Sequence, residues 1–193
     1  MYKLLEFEDI IRIPPALFNL PLKDAAIEVL RTSYEGRIIR GLGLAVSILD
    51  VNVDAKGIII PGEGATYHKA RVKALFFSPE PQEVVEGIVT VVAEYGIEVR
   101  LGPVDGFIHK SQIFEKETFS YSREQEYLLG EKTGKILRRG DVVRARIVQV
   151  SYGTRRLRLR IGLTMTQPYL GKLEWIKEAI EVKKGAKKKR SSS

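Results

Sequence analysis

The stretch EGIVTVVAEYGIEVRLGPVDGFIHKSQI, Glu86 to Ile113, decides the fold. Apolar residues alternate or run together in short blocks there, and the spacing predicts strands over 84–93, 96–101 and 104–109. Downstream, GDVVRARIVQV and RIGLTM predict strands over 141–150 and 156–163. In the first of these, Val143, Ala145 and Ile147 point to one side while Arg144 and Arg146 point to the other. In the second, Leu157, Leu159, Ile161 and Leu163 oppose Arg156, Arg158 and Arg160, and Gly153 is the flexible point of a hairpin loop over 152–155. Five short strands of this kind predict a small barrel. The polar segment 114–137, with Phe119, Tyr121 and Tyr127 scattered through it, interrupts the barrel between its third and fourth strands, and an insertion of that length is functional or mobile. Beyond the barrel, Leu170, Leu173, Ile176 and Ile180 predict a short amphipathic helix with Trp175 near its middle.

Working back toward the N-terminus, Ser78, Pro79, Glu80 and Pro81 form a seam, because two prolines around one residue cannot continue a strand ladder. Ahead of it, 2–13 reads as a strand ended by Pro14 and Pro15. Pro21 suits a first helical position, and Leu22, Ala25, Ala26, Val29, Leu30 and Ser33 give a helix with one apolar stripe, closed at Gly36. Leu42, Leu44, Val46 and Ile48 alternate, then Leu49, Val51 and Val53 continue on the other parity, which implies a bulge or a strand buried on both faces. A further strand over 67–77 turns Ala70, Val72, Ala74 and Phe76 one way and Lys69, Arg71 and Lys73 the other. The loop between these strands contains Gly62, Glu63, Gly64 and Ala65. A phosphate-cradling loop needs a lysine followed by serine or threonine after its second glycine, so this one reads as a tight turn presented to a partner.

Charge is informative by position. The net +8 of the 193 residues comes mainly from two stretches. Residues 138–160 hold eight bases and one acid, and 183–193 hold six bases and no acid. Local positive fields of this kind attract a polyanion. The chain has no cysteine, so disulfides, cysteine nucleophiles and thiolate metal sites are excluded, and His68 and His109 are too few for a histidine metal centre. No clustered carboxylates mark a two-metal phosphodiesterase site, so no metal, cofactor or catalytic residue is assigned. No apolar run reaches the roughly 20 residues of a membrane span, and acids stand where a signal peptide needs an apolar core, so the expectation is a soluble, cytoplasmic chain with no membrane partner.

The ordered series of a glycine-led strand, a YG turn, the GFIH strand end, GDVV and RIGLT resembles the S1 domain, a five-stranded OB-type barrel that binds RNA. The resemblance implies that Tyr95, Phe107, His109 and Lys110 lie on the RNA-binding face, with Arg144 and Arg146 nearby and Arg158 adding charge. Glu98 departs from it, standing where S1 domains often carry an aromatic ring. Joined to EDIIRIPP, PGEGATYHKARVKAL and QPYLGKLEWI, the whole chain apart from its tail resembles the E-prime stalk family of archaeal DNA-directed RNA polymerase, related to the seventh subunit of eukaryotic nuclear polymerases. That resemblance implies an α+β chain. A truncated ribonucleoprotein-like α/β domain occupies 1–80, an S1 (OB-fold) domain with the insertion 114–137 occupies 81–182, and a basic disordered tail occupies 183–193. It also implies a non-catalytic polypeptide that forms a heterodimer with the second stalk protein of the polymerase, known as F, inserts the loop Gly62–Ala65 into the RNA polymerase core and meets emerging single-stranded RNA. The alternative is a free-standing S1-domain RNA-binding factor in translation or RNA decay.

Overall fold

The computed structural model describes residues 1–114, 117–152 and 159–190, with side chains up to 181. Two compact units divide the chain, with the break between Pro79 and Glu80.

The first unit contains β1 (Tyr2–Ile13), α1 (Leu22–Tyr34), β2 (Ile38–Ile39), β3 (Gly43–Ile59) and β4 (Thr66–Phe77). The strands form one antiparallel sheet in the order β1-β4-β3-β2. Helix α1 starts directly after Pro21, which stands just outside it rather than at its first position. Asp24 in the first turn and Arg31 in the last complement the helix dipole. Its apolar stripe, Ala25, Ala26 and Leu30, is buried against Ile11, Ile48, Val51, Val72 and Phe76. The parity change in β3 is a bulge: the register slips between Ile48 and Asp50, so Leu49 turns outward and Val51 returns to the core. The strand slips also between Ala45 and Ser47, and a third slip, between Val53 and Gly57, lies where the buried His68 packs. Its Nδ1–H donates to the Asp54 carbonyl at 2.9 Å, and Gly57 leaves the space its ring occupies.

The second unit contains β5 (Val84–Ala93), β6 (Gly96–Arg100), β7 (Asp105–His109), β8 (Phe119–Ser122), β9 (Tyr127–Gly130), β10 (Ile136–Arg138), β11 (Val142–Tyr152), β12 (Leu159–Thr164), β13 (Gly171–Lys172) and α2 (Leu173–Arg190). Strands β12, β7, β6, β5 and β11 pair in that order, and β11 pairs with β12 to close a five-stranded barrel. Val89, Ile97, Val99, Ile108, Val143, Ala145 and Ile147 fill it. Gly106 is required by this packing, since a Cβ there would lie 2.6 Å from a methyl of Leu163. Residues 153–158, including most of the hairpin loop assigned to 152–155 and the start of the last strand, lie outside the described residues.

Two expectations change. The insertion is a small antiparallel sheet, β10-β9-β8, with Leu128 and Leu137 fully buried beneath it. The last helix excludes Leu170 and runs to Arg190, through the stretch that the sequence assigns to a disordered tail. Positive φ angles at Tyr169 (64°) and Gly171 (119°) prevent it from starting earlier.

Candidate nucleic-acid interface

Strands β6 and β7 pair Gly96 with His109, Glu98 with Phe107 and Arg100 with Asp105, and these residues share the outer wall of the barrel while Ile97, Val99 and Ile108 point inward. Tyr95, at the turn leading into β6, is 60% exposed, so its ring is available to a ligand. It lies 5.9 Å from Phe107, ring centre to ring centre, at 34°. A Cβ at Gly96 would lie 2.8 Å from the Phe107 ring, so this glycine is what lets Phe107 fold across the strand toward Tyr95. An exposed Tyr95 ring backed by the half-buried Phe107 offers a stacking surface to unpaired bases.

His109 is exposed at the end of β7, and its bond is local rather than buried: Nδ1 accepts the Ser111 N–H at 3.3 Å and caps the following turn. Lys110, in that turn, donates its backbone N–H to the Tyr95 carbonyl at 3.0 Å and holds Nζ 5.6 Å from the centre of the Phe119 ring. Tyr95, Phe107, His109 and Lys110 therefore converge.

Arg144 and Arg146 do not join them. They stand on the outward parity of β11, as their spacing predicts, but β11 pairs with β5 and is two strands away from both β6 and β7 around the ring. The expected proximity is corrected on that ground, because strand order is set by long-range pairing and not by parity. Arg144 is also engaged, donating from Nε and Nη2 to Glu86 Oε1 at 2.9 and 2.7 Å. Arg158 lies outside the described residues. Arg100 is tied to Asp105 at 3.0 Å, and that hydrogen bond holds the guanidinium above the usual arginine range. Sequence reasoning missed the outward apolar residues of β5: Val91 lies opposite Glu98 and Ile88 opposite Arg100, both exposed. Their only signal is unbroken apolar character where a solvated wall needs polar residues.

In the first unit, Ile60, Pro61, Gly62 and Glu63 form a turn closed by the Glu63 N–H to the Ile60 carbonyl at 3.0 Å, and Gly62 has a φ of 91°. Proline followed by a positive-φ glycine is the pattern of a type II turn. Glu63 accepts the Tyr67 hydroxyl, which pushes that phenol up from its ordinary range, and Arg12 lies 3.6 Å from the same carboxylate. Gly64 is exposed, but Ala65 is fully buried and anchors the loop rather than offering a surface. Beside the turn, Ile58 (69%), Ile59 (67%) and Ile60 (44%) are exposed, an apolar tip that sequence reasoning did not single out.

Asp105 and Asp141 serve internal bonds, the latter to the Arg138 N–H at 2.8 Å and to Lys172 at 3.0 Å. Burial opposes the charge on Lys172, but its bonds to Glu174 and Asp141 outweigh this and hold the ammonium above the usual lysine range. Among the described residues no group of three His, Asp or Glu could hold a metal ion, and no helix is long and apolar enough to cross a membrane.

Comparison with known proteins gives two family matches. Residues 78–162 match the S1 RNA binding domain, and residues 8–64 match the SHS2 domain found in the N terminus of Rpb7p/Rpc25p/MJ0397. The chain is 45% identical over 179 residues to the DNA-directed RNA polymerase subunit Rpo7 of Saccharolobus shibatae, covering 93% of this chain and 99% of that one. It is 42% identical over 180 residues to Rpo7 of Sulfolobus acidocaldarius, covering 93% and 97%. It is 33% identical over 120 residues to the DNA-directed RNA polymerase III subunit rpc8 of Schizosaccharomyces pombe, covering 62% and 59%.

Proposed function

The chain belongs to the Rpo7 family of DNA-directed RNA polymerase subunits, and from that membership we propose that it is a non-catalytic stalk subunit whose S1 barrel binds emerging single-stranded RNA. The observation that carries this reading is the exposed Tyr95 ring packed beside the half-buried Phe107 on the β6–β7 wall. Bases of any identity can stack there, and the neighbouring Lys110 supplies a cation for the backbone, so binding is tolerant of sequence. His109, exposed at the end of β7, is a further hydrogen-bond group on this wall.

Docking on the polymerase core is assigned to the tip at Gly62, Glu63 and Gly64, with the exposed isoleucines at 58–60 as its apolar contact. Three such exposed side chains, two at the end of β3 and one opening the turn, are costly to leave in water and suit burial in a protein groove. Pairing with the F stalk protein follows from the family resemblance, as does a cytoplasmic location beside the polymerase. Arg144 and Arg146 meet RNA that runs from this wall over β5 or over β12 to β11.

The test is a fluorescence-anisotropy titration of the full chain with a labelled single-stranded RNA. Tyr95→Ala is expected to weaken binding by about 5- to 150-fold, the effect of losing one stacked base worth about 1 to 3 kcal/mol. Unaltered affinity in a folded Tyr95→Ala variant would remove the wall from the RNA path.

A further inference from the structure

The described residues hold three cation–ring contacts: Lys110 with Phe119, Lys135 with Trp175, and Arg138 with Tyr127, at 5.6, 5.2 and 5.8 Å. Each involves the insertion or a residue at its edge. The first lies against the candidate RNA wall. The backbone of Lys110 is fastened to Tyr95, the residue carrying the exposed ring, and its side chain reaches the Phe119 ring at the start of β8. Strand β8 is held beside the same end of the barrel, because the Tyr121 hydroxyl donates to the Val92 carbonyl at 3.4 Å.

Phe119 is half-buried and rigidly backed. Its ring stacks on the buried Phe114 at 6.4 Å and 21°, and Phe114 in turn lies 5.9 Å from Trp175. A ring held this way loses little side-chain freedom when a base settles on it. Glu117, two residues ahead, is held in place by the loop that follows β9: its carboxylate accepts the N–H groups of Lys132 and Thr133 and the Thr133 hydroxyl. Lys110 thus links the two aromatic positions, its backbone bonded to Tyr95 and its ammonium over the Phe119 ring, and moving that ammonium onto a phosphate uncovers the ring for a base.

We propose that the insertion prolongs the RNA path beyond the barrel: the strand that meets Tyr95 and Phe107 passes a phosphate over Lys110 and lays a further base on Phe119. This rests on the RNA reading of the barrel wall and gives the insertion its role, that of lengthening the site.

The experiment titrates the full chain with labelled oligouridylates of about 4 and about 16 nucleotides, the span of OB-fold site sizes. Phe119→Leu keeps apolar volume against Phe114 and removes the stacking ring, and Phe119→Tyr restores it. The expected result is that Phe119→Leu weakens the long oligomer by about 5-fold or more, leaves the short one unchanged and is rescued by Phe119→Tyr. Parental affinity of Phe119→Leu for both lengths overturns the extension while the wall reading stands. Equal weakening at both lengths also overturns it, since the ring then acts through the fold. If the parent binds neither oligomer, the wall reading fails and the extension falls with it.

Discussion

Glu98 opposes the rest of the wall. It is exposed, lies directly across from Phe107, and its neighbour Arg100 is already committed to Asp105. A carboxylate close to passing phosphates costs about 1 kcal/mol at contact distance in water, and salt screens that cost. Glu98→Gln is therefore expected to tighten RNA binding about fivefold at low ionic strength, with the gain fading in high salt. A gain that is independent of salt would mean that Glu98 acts through shape rather than charge. A second residue-scale case lies in the first unit, where the Tyr34 hydroxyl donates to Asp9 Oδ2 at 2.6 Å. Burial, and then this bond, push the phenol from tyrosine's usual 10.0 up to about 12. Since the folded value is raised, the contribution to stability is complete below pH 10 and is lost as pH climbs toward 12. Tyr34→Phe should flatten the alkaline limb of the stability curve, measured by urea unfolding at a series of pH values. The same steep loss in the variant would assign it to other groups.

At the scale of elements, Gly96 couples the strand to the ring pair. A Cβ there would stand 2.2 Å from the Ile108 carbonyl oxygen and 2.8 Å from the Phe107 ring, so neither backbone nor aromatic can stay in place. Gly96→Ala is expected to cost about 1 to 3 kcal/mol by overpacking and to weaken RNA binding with it. Thermal unfolding and anisotropy report the two effects, and a variant as stable as the parent would contradict the packing. The barrel strands are legible in the sequence because their period-two patterns are long enough to show, as in Val143, Ala145 and Ile147. The strands of the insertion are not, since each spans only three or four residues and the buried Leu128 and Leu137 are isolated among polar neighbours. Leu170 fits a helical spacing and still lies outside α2, because periodicity does not register the positive φ at Tyr169 and Gly171. The site shows the same limit: Tyr95 to Lys110 are close in sequence and converge, whereas the place of Arg144 depends on pairing between strands 58 residues apart.

For the whole molecule, the two units offer surfaces of different chemistry. The tip of the first is apolar, with Ile58 and Ile59 about two-thirds exposed, and the wall of the second is aromatic with a cation beside it. Burying an isoleucine side chain yields about 1.5 to 3 kcal/mol, enough for a pair of them to hold the chain on a larger enzyme, while placing a charge there reverses the gain. The two surfaces should therefore fail separately. Ile58→Glu with Ile59→Glu is expected to lose the large polymerase subunits from an affinity purification at moderate salt while keeping parental affinity for RNA. Tyr95→Ala is expected to do the reverse. Neither substitution touches a buried side chain, so the thermal midpoint of both variants should match the parent. If the tip variant still recovers the polymerase, the isoleucines are not the docking contact, and if it loses RNA binding in step, the division of labour between the units is wrong.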